Sequence, residues 1–543
     1  MATVRVLSTR LGRSNSPFLR HSSRGLNALA LLVSTPSRSW LWSSRRLIAL
    51  VLLALVVAPG TLADFEYPQS AVLTSSDGFA SDYFAYPAVA VDGDTIVIGA
   101  NKHGGLGVDA GAAYVYTRDF PGNLSSSWTE RAILTGSATT AGERLGFSVA
   151  IDGDTLVLGA KGMNGNKGGA YVFTRDSPGD LASNWTQRAI LEVSDGSGGS
   201  PGDQFGWSVA VDGDTIAVGE IFDDSSGGSA YVFRRDFAGD LSSTWSQVGA
   251  KLKPSDAASY PGSNFGVGVA LDGDTLVVGS HVKASQTGGA YVFTRNNAGD
   301  LSSDWTERAI LEASDGAVGD RFGNSVAIDG DTIVIGAHKD HNPDRDSGSA
   351  YIFTRNDPGS LTSAWTESKL KPDDGAADDL FGNGVSIEGD VVVIGAYGDD
   401  NSKGSNSGAV YVFWRDSTDP SGWTQVAKLI ANDGAQNTML GYGVAISGDT
   451  LVAGRSAVNG GSAYVFTKFA YCDASASPAN GAVGDCTSRL AAGTTCQPTC
   501  DEGYLVSGPS ACDAEGVNTS AICRELTCCE RTFVKFGFGV PYS

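Results

Sequence analysis

A pattern of apolar and polar positions recurs along most of the chain, and its clearest copy is FGWSVAVDGDTIAVG at residues 205–219. In each copy, two apolar runs flank an Asp-Gly-Asp or a near variant, and the second run ends close to a glycine. Successive copies are 60, 60, 60, 57, 59 and 59 residues apart. A fixed period of this length predicts an array of seven structural repeats. The second acidic position of each copy is Asp94, Asp154, Asp214, Asp274, Asp331, Asp390 and Asp449.

Each repeat contains four short apolar runs, as residues 265–311 illustrate. Residues 268–271 and 275–279 are separated only by Asp-Gly-Asp, and Asp-Gly favours the tight turn of a β-hairpin. Polar loops then separate a third run at 290–294 from a fourth at 307–312. Four antiparallel strands in each of seven units predict an all-β fold, a seven-bladed β-propeller whose circular closure protects the sheet edges.

The two ends of the repeated region complement each other. The seventh repeat has its first three runs but continues to Cys472 without a fourth. Before the first repeat, residues 71–78 match the fourth run and following loop of another repeat, at residues 190–196. We therefore expect residues 69–75 to form the outermost strand of the seventh blade and to close the ring.

The net charge limits the partners of this chain. The formal net charge is −22. Residues 1–63 contain eight arginines and no acid, so the remainder carries about −30. A surface this acidic repels nucleic acids and anionic membranes, and we expect no nucleic-acid ligand. It favours divalent cations or basic partners.

The first 63 residues resemble a secretory signal sequence. Residues 1–46 are rich in Arg and Ser, residues 47–58 are all apolar, and the Thr-Leu-Ala at 61–63 is a plausible cleavage site. The apolar run is short for a helix that spans a bilayer, which needs about 20 residues. We expect a cleaved signal and a secreted or cell-surface protein. An uncleaved signal anchor is the alternative, and it is the only expected attachment to a membrane.

Cysteine usage divides the remaining chain. All eight cysteines lie between Cys472 and Cys529, and the seven repeats contain none. This clustering predicts a small disulfide-rich module attached to a cysteine-free body, in an oxidising compartment. We therefore expect a propeller at residues 64–469, a cysteine-rich module at 470–524 and a tail of unknown structure at 525–543.

The repeats resemble the FG-GAP repeat, the blade unit of the integrin α-subunit head and related extracellular propellers. This resemblance covers about residues 68–469 and implies a propeller with a role in recognition or adhesion. Integrin-type blades often carry a calcium loop between their first two strands, whereas here that connection is a minimal hairpin, so the family's calcium ligands are not transferred to this chain. The Phe-Gly pairs are Phe205-Gly206, Phe265-Gly266, Phe322-Gly323 and Phe381-Gly382, with Leu145-Gly146 and Leu440-Gly441 as variants, and the Gly-Ala pairs are Gly99-Ala100, Gly159-Ala160, Gly336-Ala337 and Gly395-Ala396.

The cysteine-rich segment is similar to a sushi (complement-control) module in the order of its cysteines and in Cys500-Asp-Glu-Gly-Tyr504. It lacks the tryptophan expected before the last cysteine of such a module. Six cysteines allow 15 connectivities. The resemblance implies the pairs Cys472–Cys512 and Cys500–Cys523, with Cys486–Cys496 as an additional pair.

The loops between the second and third runs differ most among the repeats, and two neighbouring ones are rich in acids. They belong to blades 5 and 6, at residues 338–349 and 397–408. Their carboxylates predict an acidic arc that binds Ca²⁺ or a basic partner, with a solvated acidic loop as the alternative. No cofactor is established by the sequence, and calcium is the one candidate, at Asp344, Asp346, Asp399 and Asp400. The complete candidate binding set is Asp340, Asp344, Asp346, Asp378, Asp399 and Asp400. His281, His338 and His341 are weaker transition-metal candidates, because no metal-binding spacing connects them.

Residues that recur at one phase in most blades are expected to serve folding. They include a tyrosine in the third run and a tryptophan at the start of the fourth, which we expect to pack between blades rather than to form a sugar-binding platform. No nucleophile, phosphate-binding or zinc-hydrolase motif occurs, so an enzyme is disfavoured. We expect extracellular recognition of a protein or glycan, with a polysaccharide hydrolase or lyase, or a structural surface component, as alternatives. Three glycosylation sequons begin at Asn123, Asn184 and Asn518.

Overall fold

The structure is a computed structural model that describes residues 64–78, 81–193, 200–341, 344–415, 422–455 and 461–472, and short strands between residues 481 and 525. Side-chain environments are described within residues 66–468. Seven four-stranded antiparallel sheets follow one another along the chain. The predicted seven-bladed β-propeller is therefore confirmed. In the described part of the chain, no helix has the length and apolar character needed to cross a membrane.

The strands follow the repeat period. β1 (Asp64–Glu66) and β2 (Gln69–Leu73) precede the first repeat. Blade 1 contains β3 (Phe84–Asp92), β4 (Thr95–Ala100), β5 (Ala112–Arg118) and β6 (Trp128–Leu134). Blade 2 contains β7 (Leu145–Asp152), β8 (Thr155–Ala160), β9 (Ala170–Arg175) and β10 (Trp185–Leu191). Blade 3 contains β11 (Phe205–Asp212), β12 (Thr215–Glu220), β13 (Ser229–Arg235) and β14 (Trp245–Leu252). Blade 4 contains β15 (Val269–Asp272), β16 (Thr275–Gly279), β17 (Ala290–Arg295) and β18 (Trp305–Leu311).

The second half of the ring repeats this arrangement. Blade 5 contains β19 (Ser325–Asp329), β20 (Thr332–Ala337), β21 (Ser349–Arg355) and β22 (Trp365–Leu370). Blade 6 contains β23 (Phe381–Glu388), β24 (Val391–Ala396), β25 (Ala409–Arg415) and β26 (Trp423–Leu429). Blade 7 contains β27 (Leu440–Ser447), β28 (Thr450–Arg455) and β29 (Ser462–Thr467). Helical turns α1 (Met163–Asn166), α2 (Asp223–Ser226) and α3 (Lys283–Gln286) follow the second strands of blades 2 to 4.

The last strands are short and belong to the cysteine-rich segment, whose side chains lie outside the described residues. β30 pairs with β1 and with β32 in a three-stranded sheet. The predicted disulfides and the sushi-like module therefore stay predictions. The strands are β30 (Phe469–Cys472), β31 (Gly481–Ala482), β32 (Leu490–Ala491), β33 (Thr495–Cys496), β34 (Thr499–Cys500), β35 (Tyr504–Val506), β36 (Ser510–Cys512), β37 (Asn518–Thr519) and β38 (Cys523–Glu525).

The ring closes with sequence from its two ends. β2 pairs antiparallel with β29, with Gln69 opposite Phe466 and Leu73 opposite Ala463. The Ser70 and Thr467 hydroxyls lie 2.8 Å apart in the same pair of strands. The N-terminal strand thus supplies the fourth strand of blade 7, as the sequence predicts.

The core consists of side chains packed between neighbouring blades. The second and third strands are almost fully buried, and the phenylalanine of each Phe-Gly pair contacts the buried tyrosine of its own blade edge-on, as Phe205 does Tyr231 at 5.4 Å. The following glycine, Gly206, has a φ of 83°, and a Cβ there would lie 2.2 Å from the Gly169 carbonyl oxygen. Phe fills the interface between the blades, and Gly lets the preceding blade approach.

The recurring tryptophans stack on arginines, which explains why both recur. In six blades the arginine that ends the third strand lies 4.4–5.2 Å from the tryptophan ring centroid. Its Nε lies 2.6–2.9 Å from the second acid of the blade's hairpin. It also donates to a threonine hydroxyl in the preceding blade, at 2.5–3.2 Å. The arginine therefore joins two strands, a loop and two blades, which confirms the structural role expected for the tryptophans.

Candidate binding site at one end of the central channel

Two of the six acids predicted as a binding arc are buried in ion pairs. Asp340 Oδ2 lies 2.5 Å from Lys369 Nζ and accepts a hydrogen bond from the Tyr351 hydroxyl at 3.2 Å. Asp399, only 1 % exposed, has the same partners in blade 6: Lys428 at 2.8 Å and Tyr411 at 2.6 Å.

A second acid completes each network: Asp315 in blade 5 and Asp374 in blade 6. Burial opposes the charged form of each lysine, but the hydrogen bonds to the two carboxylates outweigh it and raise the pKa of Lys369 and of Lys428. These carboxylates thus neutralise lysines inside their blades.

The other four acids have different surroundings. Asp378 pairs with the exposed Arg345, and one oxygen of Asp346 lies 3.8 Å from Lys339 Nζ. Asp400 accepts the Asn406 amide at 2.7 Å, and Asp344 is exposed. Among the described residues, no group of three or more His, Cys, Asp or Glu is arranged to hold a metal ion. Calcium binding at Asp344, Asp346, Asp399 and Asp400 stays a prediction.

Two of the three candidate histidines face one cavity. His281 and His338 line it, whereas His341 is exposed and its Nδ1 lies 2.9 Å from the Lys339 carbonyl oxygen. The cavity measures about 600 Å³ and occupies the end of the central channel where the first strands begin and the second strands end. We call this cavity the mouth.

The inner wall of the mouth consists of the residue after each Phe-Gly or Leu-Gly pair. Its backbone position is the same in every blade, because the preceding glycine fixes the contact with the neighbouring blade, but its side chain differs. Blade 1 has one additional residue and contributes Pro87, with Tyr86 beside it. The other six positions are Phe147, Trp207, Val267, Asn324, Asn383 and Tyr442.

A second set of varying positions surrounds the first. It is formed by the residue two places after the last glycine of each second strand, and its members in blades 1 to 6 are Asn101, Lys161, Ile221, His281, His338 and Tyr397. His281, His338 and Tyr397 line the mouth directly. We call these two sets the inner and the outer ring.

Aromatic side chains concentrate in one arc of the mouth, from blade 6 through blade 7 to blade 3. The Tyr442 ring centroid lies 4.2 Å from that of Tyr86 and 4.8 Å from that of Tyr397. In blades 2 and 3, Phe147 and Trp207 lie 4.9 Å apart. All five rings are partly exposed. This arc can therefore contact the flat apolar face of a ligand.

Lys161 lies beside two of the rings that line the mouth, although it is not itself part of the lining. Its Nζ lies 3.3 Å from the Phe147 centroid and 3.8 Å from the Trp207 centroid, and the residue is 7 % exposed. Burial, with a contribution from the nearby Arg144, lowers the pKa of Lys161 to about 7. No carboxylate of the described residues pairs with it, so its amine lies against the faces of two aromatic rings.

Blades 4 and 5 contribute a guanidinium and two imidazoles. Arg321 lines the mouth, and its Nε donates to the Gln286 side chain at 3.3 Å. Burial lowers the pKa of His338 to about 3 and of His281 to about 4, and the charge of Arg321 contributes to both shifts. The Nδ1 atoms of both histidines are buried and have no hydrogen-bond partner among the described residues.

The opposite end of the channel has the reverse charge. There the first acid of each hairpin accepts the backbone N–H of the glycine in the next hairpin, as Asp92 does from Gly153 at 2.6 Å. Asp152, Asp212, Asp272, Asp329 and Glu388 do the same, and Ser447 completes the circle by accepting from Gly93 at 3.0 Å. By contrast, none of the described residues that line the mouth is acidic.

The sequence indicates the long acidic loops as candidate binding sites, and it does not directly indicate the residues that line the mouth. A signal is nevertheless present in the sequence: two positions vary among the repeats while the flanking residues recur. The two sequons within the described residues fall on exposed Asn123 and Asn184, in loops between third and fourth strands, at the channel end opposite the mouth. Glycosylation at Asn123, Asn184 and Asn518 stays a prediction.

Fold and site together define a seven-bladed propeller with a constant scaffold and a variable, cationic and aromatic mouth. The FG-GAP repeat family matches the chain seven times, at residues 67–116, 128–173, 185–233, 245–293, 305–353, 365–413 and 423–466. The chain belongs to the FG-GAP repeat family. A comparison with curated proteins gives no match.

Proposed function

We propose that this protein is a secreted or cell-surface recognition protein that binds an extracellular protein or glycan through the mouth of its propeller. The observation that carries the proposal is the variation of the inner and outer rings within an otherwise repeated scaffold. Side chains that serve packing recur in the blades, whereas side chains that serve a ligand need to be different on each side of it.

The size and composition of the mouth support a binding role. A cavity of about 600 Å³ lies within the range of small-ligand sites. Aromatic and cationic side chains such as Trp207 and Arg321 are enriched where proteins bind partners. The FG-GAP repeat is typical of extracellular and surface proteins, and the signal-like N-terminus and the exposed sequons agree with that location.

The test is a binding screen with a matched pair of proteins. The full chain, expressed through a secretory pathway, and its Trp207→Ala/Tyr442→Ala variant are both applied to glycan and extracellular-protein arrays. Both rings are partly exposed, so the variant is expected to fold, which its melting temperature checks. A saturable ligand that the variant loses supports the proposal, whereas ligands bound equally by both proteins contradict it.

Turnover of a bound polysaccharide in the same assay would favour the alternative of a hydrolase or lyase. Binding of nothing by either protein would favour a structural surface component.

We further propose that residues 470–524 form a disulfide-rich, sushi-like module that the propeller presents beside its closing strands. Peptide mapping without reduction tests the pairs Cys472–Cys512, Cys500–Cys523 and Cys486–Cys496. A different connectivity would contradict the sushi resemblance without affecting the propeller.

A further inference from the structure

We propose that the mouth binds an acidic oligosaccharide, with the pyranose rings against the aromatic arc and a carboxylate or sulfate group facing Arg321 and the two histidines. This inference rests on the proposed recognition function and adds the chemical class of the ligand.

The first argument is the electrostatic contrast between the mouth and the rest of the molecule. The chain has a formal net charge of −22, yet the described lining of the mouth contains Arg321 and Lys339 and no acidic side chain. Elsewhere, partly buried cations such as Lys369 and Lys428 each have two carboxylates. Lys339 Nζ lies 3.8 Å from Asp346, whereas Arg321 pairs with no carboxylate of the described residues. A guanidinium in this position is suited to an anion that arrives from outside.

The second argument is the presence of buried polar groups without partners. His338 is 5 % exposed, it lines the mouth, and its Nδ1 has no hydrogen-bond partner among the described residues. His281 also lines the mouth, and its Nδ1 is likewise buried without a hydrogen-bond partner among the described residues. A buried polar group without a hydrogen-bond partner lowers the stability of the folded protein, and a ligand that bonds to it offsets this cost. An oxyanion satisfies an ammonium, a guanidinium and an imidazole N–H equally well.

The third argument distinguishes a sugar from an acidic peptide. Four partly exposed rings of the aromatic arc, those of Phe147, Trp207, Tyr397 and Tyr442, line the cavity of about 600 Å³, and Arg321 lines the same cavity. Pyranose rings present flat C–H faces that pack on aromatic rings, and their hydroxyls suit the Asn324 and Asn383 amides that also line the mouth. An aspartate or glutamate side chain would use the cations but would leave most of the arc without a contact.

Binding is measured by isothermal titration calorimetry on the full secreted chain. The probes are a trigalacturonate, a sulfated trisaccharide, an uncharged galactose trisaccharide of matched length, and hexaglutamate. We expect one of the two acidic sugars to bind at least tenfold more tightly than the uncharged one, and the preferred probe then identifies carboxylate or sulfate as the recognised group. Affinity is expected to fall as sodium chloride is added, because salt screens the charges.

Variants test the residues that carry the inference. Arg321→Gln is expected to weaken the acidic sugar about tenfold or more. Arg321→Lys retains the charge and is expected to retain most of the affinity. Arg345→Gln, which removes one exposed positive charge outside the mouth, is the matched control and is expected to change the affinity less than twofold. Melting temperatures confirm that each variant is folded.

Four outcomes overturn the inference. Equal binding of charged and uncharged sugars would show that the mouth does not recognise the acidic group. Tighter binding of hexaglutamate would show that the ligand is an acidic peptide. Equal weakening by Arg345→Gln and Arg321→Gln places the anion elsewhere. Binding of none of the four probes rejects the acidic sugar. In every case the recognition function itself is judged separately, by whether the array ligands are lost in the Trp207→Ala/Tyr442→Ala variant.

Discussion

Arg118 and Thr450 are 332 residues apart in the chain, and the guanidinium of one donates to the hydroxyl of the other at 2.6 Å. Thr450 begins the second strand of blade 7, and Arg118 ends the third strand of blade 1. This bond therefore joins the last blade to the first, at the seam where the ring closes. The same arginine stacks on Trp128 and lies beside Asp94, so the seam is built like the junctions between consecutive blades.

We expect Thr450→Val to lower the free energy of unfolding by about 1–3 kcal/mol, because it leaves a buried guanidinium N–H without its acceptor. Blade 6 offers a matched control, since Val391 occupies the equivalent position and the following blade has Lys468 in place of the arginine. The reverse change, Val391→Thr, is expected to alter stability by less than about 0.5 kcal/mol. Urea unfolding measures both, and equal effects would contradict a role for the arginine bond.

The same junction allows a gain of stability. We expect Val391→Thr combined with Lys468→Arg to be more stable than the sum of the two single variants, by about 0.5–1.5 kcal/mol, because the pair recreates the bond present at the other junctions. A double-mutant cycle in urea measures this coupling. A coupling near zero would show that the blade 6–blade 7 junction has a different geometry.

The N-terminal strand is expected to contribute strongly to stability through Leu73. This side chain is 4 % exposed and packs in the cluster between blades 7 and 1. Leu73→Ala is expected to lower the free energy of unfolding by about 2–4 kcal/mol. Its neighbour Val72 is 41 % exposed on the other face of the same strand, so Val72→Ala is expected to lower it by less than about 1 kcal/mol. Thermal and urea unfolding measure both variants. Equal losses of stability for Leu73→Ala and Val72→Ala would show that β2 is not packed as described.

Glu220 makes stability depend on pH. It is 1 % exposed in β12, where blades 1, 2, 5 and 6 have alanine, and burial, together with Asp223 and Asp203, raises the pKa of Glu220 to about 7. The folded-state pKa is above the unfolded value of 4.5, so ionisation of Glu220 lowers the free energy of unfolding. This loss is absent below about pH 4.5 and complete above about pH 7, where it reaches roughly 3 kcal/mol.

We therefore expect Glu220→Gln to be more stable than the parent at pH 8 and equally stable at pH 4, since the amide oxygen can still accept the hydrogen bond from Tyr231. Denaturation at the two pH values measures this difference. Glu192→Gln, at an exposed position of the neighbouring blade, is the control and is expected to show no such dependence. A Glu220→Gln variant that is less stable at pH 8 would disprove the assignment.

Calcium binding by the acidic loops can be separated from their structural role at Asp399. Because Asp399 neutralises Lys428 and accepts from Tyr411, we expect Asp399→Asn to lower the free energy of unfolding by about 2–4 kcal/mol, equally in EDTA and in calcium. The exposed Asp400→Asn is the control without a buried partner. Thermal melts over a calcium titration provide the comparison. A loss that appears only in calcium would make Asp399 a ligand rather than an ion-pair partner.

The fold could be predicted almost completely because the same sequence pattern recurs in every blade. An Asp-Gly turn or a close variant forms each hairpin, and in most blades a Phe-Gly or Leu-Gly pair forms the contact with the preceding blade. Residues 71–78 match the fourth run that blade 7 lacks. The acidic loops illustrate the limit of the same approach. Asp340 and Asp399 have the character of surface ligands in the sequence, but each is paired with a lysine 29 residues further along the chain, on a different strand.

The mouth was missed for a related reason. Phe147, Trp207 and Tyr442 are separated in sequence by 60 and 235 residues and become neighbours only around the axis of the ring. Likewise, the packing of the recurring tryptophans is predictable from their regularity. Their arginine partners are not, because the pairing depends on the register of the third and fourth strands, which places each arginine opposite its tryptophan. A pattern within one repeat predicts a blade, and a comparison across repeats is needed to find what faces the axis.

The arrangement of the inner and outer rings has an evolutionary consequence. In each blade the side chains that determine folding and those that face the axis occupy separate positions, two of which vary from blade to blade. Under the recognition function that we propose, substitutions at these two positions would alter ligand preference while the hairpins, the Phe-Gly contacts and the arginine junctions remain intact. The propeller would then be a scaffold whose specificity diversifies by single-residue changes, and a set of such changes in the laboratory would be a compact library for selecting new binders.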